Sequence, residues 1–575
     1  MRKLWLLVIL LLSPAQCDEG HSISWTGWDG AFDRAERENK LVFLNLEAVW
    51  CHWCHVMDKT TYRDPRVLAL LKEGTVAVRV DQDARPDLSN RYQSYGWPAT
   101  IIFDAEGREL ARLSGYVEAD RLVAILERLQ SNPEPLQDGP QNEPLRGTSK
   151  LSRGLIDGLV KRHFELYDEA LGGWGLTHKF VNAPVVEYCL LRALDGDERN
   201  REMAIKTLDA NLALIDPEWG GVYQYSDSGV WDSPHYEKIM QSQAGNLKVY
   251  SLAYSQFGYP RYLRAARQIA QYLMNEMSAP DDGFYASQDA DLVQGTKAKE
   301  YFELPSDRRL ELGTPRIDTA EYARECGLAS EALALYAAVS GDEEALDRAV
   351  MSAAWAIEER QEEAGGFRHG SEADPQLYLG DTLYMGRAFL MLYRVHANLL
   401  WLQKAQQCGD FISTRFAKEG ADGFYTSDQL IVRDRVENAD LARFFNLLHA
   451  HTGDPKHREM AEKALRYFTV EGATENFNPG GILLAAQEMA TDTPHITLTI
   501  EEISEESDQL NQAAAGSPVG SLRLDVCYSG EPLPPHCEVT YPANGAHAAY
   551  ICTKGRCTGP VNKVEEMREF WLSKY

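Results

Sequence analysis

The sequence predicts a multidomain chain: an α/β domain, then an all-α (α/α)6 toroid, then a small C-terminal α/β segment. Three observations predict this order. A buried-strand pattern, Leu41-Val42-Phe43-Leu44-Asn45-Leu46, leads into a CxxC motif, and a second strand pattern begins at Pro98. Glycine-containing elements then recur six times between helical patterns. From His495 the pattern alternates again, as strands do, and 575 residues are enough for several domains.

The segment Cys51-His52-Trp53-Cys54-His55 carries the most chemical information. Two cysteines separated by two residues can form a redox dithiol, supply half a zinc site or, with His following, attach a c-type haem. Thioredoxin folds have this layout: a strand precedes the motif, a helix starts at it, and a later strand is entered through a proline, here Pro98. We therefore predict a redox dithiol. A zinc site is disfavoured because no second close Cys/His pair follows in the domain, and haem attachment is disfavoured because no segment that could enclose a haem stands out. The remaining alternative is a CxxC motif that has lost its redox activity. No metal and no cofactor are predicted.

The predicted catalytic residues are Cys51 and Cys54. Cys51 precedes a helix N-terminus, where unpaired N–H groups and the helix dipole favour a thiolate. Cys54 lies one turn further on and can resolve a mixed disulfide. Four neighbours are expected to add charge, shape the surface or position the substrate: Trp50, His52, Trp53 and Pro98.

The N-terminus has the pattern of a signal peptide. Met1-Arg2-Lys3 is positively charged, Leu4 to Leu12 is apolar, and cleavage is expected after Ala15. The apolar stretch is too short to span a bilayer comfortably, so no membrane span is expected in the mature chain. We predict a secreted or periplasmic protein. Two alternatives are an uncleaved anchor and a lipid anchor on Cys17, which the preceding Gln16 disfavours.

The charge of the chain restricts its partners. Asp and Glu total 86 against 58 Lys and Arg, for a formal net charge of -28. This acidity argues against nucleic acid and against anionic membrane surfaces. The predicted partner is a protein disulfide or a small-molecule substrate, with a sugar ligand as an additional expectation for the toroid.

A repeat organises the middle of the chain. Its six elements lie roughly 50–80 residues apart, which is room for two helices and a loop each. They are Gly172-Gly173-Trp174, Gly220-Gly221-Val222, Asp282-Gly283-Phe284, Gly365-Gly366-Phe367, Asp422-Gly423-Phe424 and Gly480-Gly481-Ile482. An ordinary helical bundle with glycine loops is the alternative. The predicted boundaries are residues 1–17 for the signal peptide, 22–131 for the thioredoxin-like domain, 132–149 for a linker, 150–490 for the toroid and 495–575 for the C-terminal segment.

Toroids of this kind often carry carbohydrate chemistry in their central funnel. Paired carboxylates can act as acid and base or as acid and nucleophile, and a His–Glu pair can relay a proton. A structural role is the competing interpretation, since Asp381 is a natural helix cap and the other two aspartates can hold loops. The candidate pocket residues are Trp231, His235, Glu237, Asp289, Asp291 and Asp381.

The remaining cysteines fall into two groups. Cys189, Cys326 and Cys408 lie in apolar helical patterns and are predicted to be buried thiols. Four others cluster near the C-terminus, and sequence alone leaves their pairing open between disulfides and free thiols, with zinc disfavoured by irregular spacing: Cys527, Cys537, Cys552 and Cys557.

Long motifs resemble the spermatogenesis-associated protein 20 family and its bacterial relatives. They are CHWCHVM (Cys51 to Met57), VDQDARPD (Val80 to Asp87), GWPATIIFD (Gly96 to Asp104), GGWGLTHKF (Gly172 to Phe180), PHYEKIMQSQA (Pro234 to Ala244), DGFYASQDAD (Asp282 to Asp291) and AAYICTKGRCTGPV (Ala548 to Val561). The resemblance implies a thioredoxin-like domain fused to a six-hairpin-glycosidase-like toroid related to N-acylglucosamine 2-epimerases. It also implies a cis bond before Pro98.

Three departures from the family pattern bear on function. Gln224 stands where the family implies His, and the segment after Asp291 is less acidic than expected. Both departures weaken the inference that this chain shares a sugar-processing activity with related toroids. Asn45 occupies the strand position where thioredoxins carry a buried acid that assists proton transfer. Three functions therefore compete: a thiol–disulfide oxidoreductase, a carbohydrate-active hydrolase or epimerase, and a non-catalytic binding protein.

Overall fold

A computed structural model describes residues 22–137, 144–148, 150–371, 376–430, 432–537 and 541–572. The predicted signal peptide with Cys17, part of the predicted linker and the last three residues lie outside this range. Backbone contacts divide the chain into two compact units. The first comprises Met1–Glu47, Trp53–Val80 and Tyr95–Gly139, and the second comprises Ala48–His52, Asp81–Ser94 and Pro140–Tyr575.

The first sheet of the described residues has four strands. They are β1 (Leu41–Glu47), β2 (Thr75–Asp81), β3 (Ala99–Phe103) and β4 (Glu109–Ser114). Their order is β2-β1-β3-β4, and β3 is antiparallel to both neighbours. The helices of this region are α1 (Ala31–Glu38), α2 (His52–Lys59), α3 (Pro65–Gly74), α4 (Pro86–Tyr92) and α5 (Ala119–Ser131). The order of elements agrees with the predicted thioredoxin-like α/β fold.

Local sequence explains these elements. The first six residues of β1 are all buried, as expected of a strand that is covered on both faces. Within it, Asn45 donates to Glu47 Oε2 at 2.7 Å and accepts from the Tyr62 hydroxyl at 3.1 Å, so the buried amide is satisfied. Asp64 caps α3 and Pro65 is its first residue, a combination that favours a helix start. The Trp97–Pro98 bond is cis.

The toroid is built from twelve paired helices among the described residues. In chain order they are α6 (Arg153–Glu165), α7 (Ala183–Leu194), α8 (Glu198–Asn211), α9 (Met240–Phe257), α10 (Pro260–Glu276), then, after two short helices α11 (Lys299–Phe302) and α12 (Ser306–Leu312), α13 (Ala323–Ser340), α14 (Glu343–Glu359), α15 (Leu379–His396), α16 (Leu399–Arg415), α17 (Arg435–Thr452), α18 (Pro455–Arg466) and α19 (Gly480–Ala490).

Contacts between these helices close a ring. Helices α7, α9, α13, α15, α17 and α19 pack each on the next, and α19 packs back on α7. The outer partners are α8, α10, α14, α16, α18 and α6, in the same order. The predicted (α/α)6 toroid is therefore confirmed. The inner helices are buried on most of their surface. Helix α13 accordingly consists almost entirely of apolar and small residues.

Five of the six glycine elements connect an outer helix to the next inner helix. Each lies in a tight loop closed by a single antiparallel bridge, such as Tyr167 to Trp174 and Ala417 to Phe424. Gly172 and Gly173 take φ of 76° and 83°, which favours glycine. The sixth element differs from the prediction, because Gly480 and Gly481 begin α19 instead of turning a loop.

Short strands follow the second and third glycine loops. β5 (Tyr225–Ser226) pairs with β6 (Pro234–His235). β7 (Lys238–Ile239), β8 (Ser287–Gln288) and β9 (Ile317–Asp318) form a second small sheet with β8 in the centre. Residues 235–238 and 287–291 lie in or next to these strands, so the paired backbones fix their positions. Residues 289–316, which include α11 and α12, therefore form an insertion between α10 and α13.

The C-terminal segment is a mixed sheet with helices. Its order is β11-β10-β12-β13, from β10 (His495–Ile500), β11 (Arg523–Tyr528), β12 (His547–Thr553) and β13 (Arg556–Cys557), with α20 (Glu505–Ala515) and α21 (Val564–Leu572). The predicted α/β segment is confirmed. Arg394 of α15 ties the segment to the toroid by donating to the carbonyls of Ala515, Ser517 and Val519 at 2.7–2.9 Å.

None of the helices within the described residues combines the length and apolar character needed to cross a membrane. The predicted thiols Cys189, Cys326 and Cys408 are buried and are not in disulfides.

Candidate functional site

The CxxC motif follows β1 and runs into α2, with Cys51 before the helix and Cys54 in its first turn. Cys51 directly precedes the first helical residue, His52, and its backbone N–H donates to the Ala48 carbonyl at 3.1 Å. Both Cys51 and Cys54 are disulfide-bonded, and each is 3% exposed. The position places the Cys51 sulfur where helix N–H groups and the helix dipole stabilise a thiolate. The motif therefore has the residue types and the local position of a candidate redox dithiol.

The predicted supporting residues occupy different environments. Trp53 is 37% exposed and its ring centroid lies 5.9 Å from that of Tyr116, so it does present surface beside the motif. Trp50 is buried, and its indole N–H donates to Asp83 Oδ2 at 2.8 Å. Pro98 is buried at the entry to β3.

His52 has a carboxylate partner. Its Nδ1 lies 2.8 Å and 2.9 Å from the two carboxylate oxygens of Asp291, and both side chains are buried. Because a carboxylate only accepts, Nδ1 carries a proton in this contact. The Gly295 N–H also donates to Asp291, at 2.6 Å. The negative charge of Asp291 therefore offsets any positive charge on His52. The His52–Asp291 pair adds less net positive charge beside the two cysteines than the sequence analysis expected from His52 alone.

His235 and Glu237 lie near this pair. Burial, with the charges of Asp291 and Asp289, raises the pKa of Glu237 to about 8, although the backbone N–H groups of Glu237 and His52 oppose the shift. Burial lowers the pKa of His235 to about 4. At neutral pH both side chains are uncharged, and the 3.9 Å between His235 Nδ1 and Glu237 Oε2 is not an ion pair. Glu237 Oε2 has no hydrogen-bond partner among the described residues.

Asp381 belongs to a separate hydrogen-bonded group. It accepts from the Arg324 N–H at 2.9 Å and lies 2.9 Å from His369 Nδ1. His369 Nε2 lies 2.7 Å from the Asp83 carbonyl oxygen. Both partners of His369 only accept, so both ring nitrogens donate and the ring is an imidazolium. Burial lowers the pKa of His369, but the Asp381 carboxylate outweighs it, and the net pKa is raised.

Asp83 and its neighbour Asp81 form an acidic pair next to this group. Burial, with the charge of Asp81 and then of Glu325, raises the pKa of Asp83 well above its ordinary value. Burial also raises the pKa of Asp81 to about 6, with Asp318 adding to the shift. Sequence reasoning missed His369, Asp83 and Asp81 as site residues. The motif VDQDARPD was the available signal for the two aspartates, whereas His369 stands in no motif.

Trp231 lies apart from the other candidates. Its indole N–H donates to the Leu171 carbonyl at 2.9 Å, and its ring packs on Gly173 in the first glycine loop. Of the six predicted pocket residues, the structure therefore brings His235, Glu237, Asp289 and Asp291 together, and places Trp231 and Asp381 elsewhere.

A cavity of about 400 Å³ opens inside the toroid. Its described lining contains none of the six predicted pocket residues but does contain Gln224 and Tyr225. It also contains six acidic or basic side chains of the Asp, Glu, Lys and Arg types from five inner helices, which we call the charged ring: Glu187, Lys248, Glu331, Arg387, Asp440 and Arg443.

Neighbours in the charged ring are ion-paired. Lys248 Nζ lies 3.3 Å from Glu187 and 3.0 Å from Glu331, and Arg387 lies 2.9 Å from Glu331. Burial raises the pKa of Glu187, but the charges of Arg443 and Lys248 outweigh it and bring that pKa to about 2. Burial is likewise outweighed at Glu331 by Arg387 and Lys248, and its pKa is lowered. Neither carboxylate holds a proton at neutral pH, so neither can serve as a general acid.

Comparisons with known proteins found a matching family model, similar curated proteins and similar solved structures. The family described as "Thioredox_DsbH: Protein of unknown function, DUF255" matches residues 15–127. A thiol:disulfide interchange protein, DsbD of Ralstonia nicotianae, is 35% identical over 105 residues, 17% of each chain. Among solved structures, cellobiose 2-epimerase from Bacillus thermoamylovorans is 12% identical with a TM-score of 0.43, over 55% of this chain and 86% of that one.

Human spermatogenesis-associated protein 20 is 29% identical over 317 residues. The match covers 48% of this chain and 40% of the human protein, so this chain spans about two-fifths of the length of that relative. The rat protein is 27% identical over 328 residues. The resemblance to spermatogenesis-associated protein 20 that the sequence motifs indicate is thereby confirmed.

Proposed function

We propose that the protein is a thiol–disulfide oxidoreductase with Cys51 as the attacking thiol and Cys54 as the resolving thiol. One observation carries the proposal: Cys51 immediately precedes α2, and both cysteines of the motif are already in disulfide form. A helix N-terminus lowers the pKa of a thiol placed there, which makes the thiolate available near neutral pH.

In the reductive direction the reduced motif reacts in two steps. The Cys51 thiolate attacks one sulfur of the substrate disulfide, forms a mixed disulfide and releases the first substrate thiol. Cys54 then attacks Cys51 Sγ, closes the motif disulfide and releases the second thiol. The substrate gains two electrons and two protons, and the motif loses them. The reverse sequence oxidises a dithiol substrate.

Burial restricts the substrate. Each cysteine is only 3% exposed, so a disulfide held in the surface of a folded protein cannot easily reach the sulfur. We propose a small-molecule disulfide or thiol in preference to a folded protein disulfide.

The test compares reduced wild type with Cys51→Ser on bis(2-hydroxyethyl) disulfide, with release of the product thiol followed over time. Cys51→Ser is expected to slow the reaction more than about tenfold, because a serine hydroxyl does not form the nucleophilic anion near neutral pH. Cys408→Ala, which removes a buried thiol in α16, is the control and should keep the wild-type rate. Equal rates for wild type and Cys51→Ser would contradict the proposal.

For the toroid we propose ligand binding. Its cavity is of a size that suits a small molecule, and its ion-paired carboxylates Glu187 and Glu331 are poor proton donors. A carbohydrate-active enzyme remains a prediction from the sequence alone. We also propose export, which the pattern of residues 1–17 supports and which would allow the dithiol to persist as a disulfide.

A further inference from the structure

Two of the four C-terminal cysteines form a disulfide, and the other two are thiols. Cys552 and Cys557 face each other across β12 and β13 and form a disulfide with 4.0 Å between their Cα atoms. Cys527 and Cys537 are thiols, and their side chains hydrogen-bond to each other. Cys527 is buried in β11, while Cys537 lies in the following segment and is partly exposed.

Contacts that do not involve sulfur hold the two thiols together. Arg523, in the same strand as Cys527, donates from Nη2 to the carbonyl of His536, the residue before Cys537, at 3.1 Å. The same guanidinium donates to the Ala450 carbonyl at 2.8 Å and to Asp525 at 2.7 Å, and it is almost fully buried. These contacts hold the backbone next to Cys537 against the Arg523 side chain of β11 without any bond between the two sulfurs.

We propose that Cys527 and Cys537 are a second thiol–disulfide couple, oxidised by small disulfides of the glutathione class. The more exposed Cys537, as its thiolate, attacks one sulfur of the small disulfide and releases one thiol. Cys527 then attacks Cys537 Sγ while its proton passes to the departing sulfur, which closes the intramolecular disulfide and releases the second thiol. The two cysteines lose two electrons and two protons, and the small disulfide becomes two thiols.

The environment assigns the order of the two steps. Burial, with the neighbouring Cys537, raises the pKa of Cys527 to about 12, so Cys527 stays protonated near neutral pH and is a poor first nucleophile. Cys537 is also more exposed to solvent than Cys527, so a small disulfide reaches its sulfur first. The couple is independent of the CxxC motif, and the proposal does not rest on the function proposed for that motif.

The experiment equilibrates the full-length protein in buffers of reduced and oxidised glutathione, blocks remaining thiols by alkylation and identifies the peptides by mass. We expect a peptide pair joined through Cys527 and Cys537, with the loss of two thiols, in wild type and equally in Cys51→Ser. The buried thiols of Cys189, Cys326 and Cys408 should remain alkylatable only after unfolding.

Two variants test the order of attack. In Cys527→Ser, Cys537 should accumulate as a mixed disulfide with glutathione, whereas in Cys537→Ser, Cys527 should remain unmodified. The proposal is overturned if wild type gives no joined peptide at any glutathione ratio. It is equally overturned if wild type keeps glutathione on Cys537, since Cys527 would then fail to resolve the adduct.

Discussion

Replacing Arg443 with methionine is expected to lower the free energy of unfolding by about 3–5 kcal/mol, the cost of removing one partner from a buried ion pair. Arg443 lies on α17 and contacts two other inner helices. Its Nε lies 2.8 Å from Glu488 on α19, and its guanidinium also binds Glu187 on α7. These are the two helices whose contact closes the toroid. The variant leaves two buried carboxylates short of a counter-charge.

An exposed arginine provides the control. Arg415 is half-exposed and lies 2.6 Å from Asp428, and Arg415→Met should cost no more than about 1 kcal/mol because surface ion pairs contribute little. The measurement is urea unfolding of the toroid, followed by far-UV circular dichroism. If Arg443→Met costs no more than Arg415→Met, the charged ring does not stabilise the toroid.

The pH dependence gives a second readout of the Arg443 variant. The pKa of Glu187 is lowered in the folded protein, from an ordinary 4.5 to about 2. The stability this contributes is fully present above pH 4.5 and is lost as the pH falls toward 2. Without Arg443 the Glu187 carboxylate loses part of this stabilisation. The difference in stability between wild type and Arg443→Met should therefore shrink on acidification, and a difference that grows would contradict the assignment.

Gly327→Ala is expected to destabilise the protein by about 1–3 kcal/mol through overpacking. Gly327 lies on α13 where it crosses α15, and a Cβ there would lie 2.5 Å from the Tyr384 carbonyl carbon and 2.7 Å from the Met385 nitrogen. Both are backbone atoms, so a side-chain rotation cannot relieve the clash and the two helices must separate.

The same substitution at Gly158 should have the opposite sign. Gly158 is exposed in α6, and a Cβ there would meet nothing within 4 Å. Gly158→Ala should therefore stabilise the protein by about 0.5–1 kcal/mol, since alanine is the better helix former. Thermal unfolding of the two variants tests both signs. A Gly327→Ala protein as stable as Gly158→Ala would show that α13 and α15 do not approach as closely as described.

Local patterns predicted most of the fold. The apolar run of β1 and the recurrence of glycine loops each depend on neighbours in sequence. Gly480 was misinterpreted for a physical reason. A Cβ at Gly480 would lie 2.7 Å from Val185 Cα, so this glycine permits the close contact of α19 with α7. A Gly-Gly pair looks the same in sequence whether it turns a loop or admits a neighbouring helix.

The site was predicted only in part, because its contacts join distant segments. His52 and Asp291 were each selected, but for different functions, and 239 residues separate them. The ring residues Glu187 and Arg443 are single charges on helices, which a periodicity argument assigns to solvent-exposed faces. Only the closed toroid brings them together and makes each the partner of the other.

Trapping the mixed disulfide tests the central claim most directly. Reduced Cys54→Ser protein is mixed with bis(2-hydroxyethyl) disulfide, quenched with acid and analysed by peptide mass. We expect a stable adduct on Cys51, which in wild type is only transient because Cys54 resolves it, and no adduct on Cys54 in the Cys51→Ser protein. An unmodified Cys51 in Cys54→Ser, or an equal adduct on Cys54 in Cys51→Ser, would contradict the assignment of Cys51 as the attacking thiol.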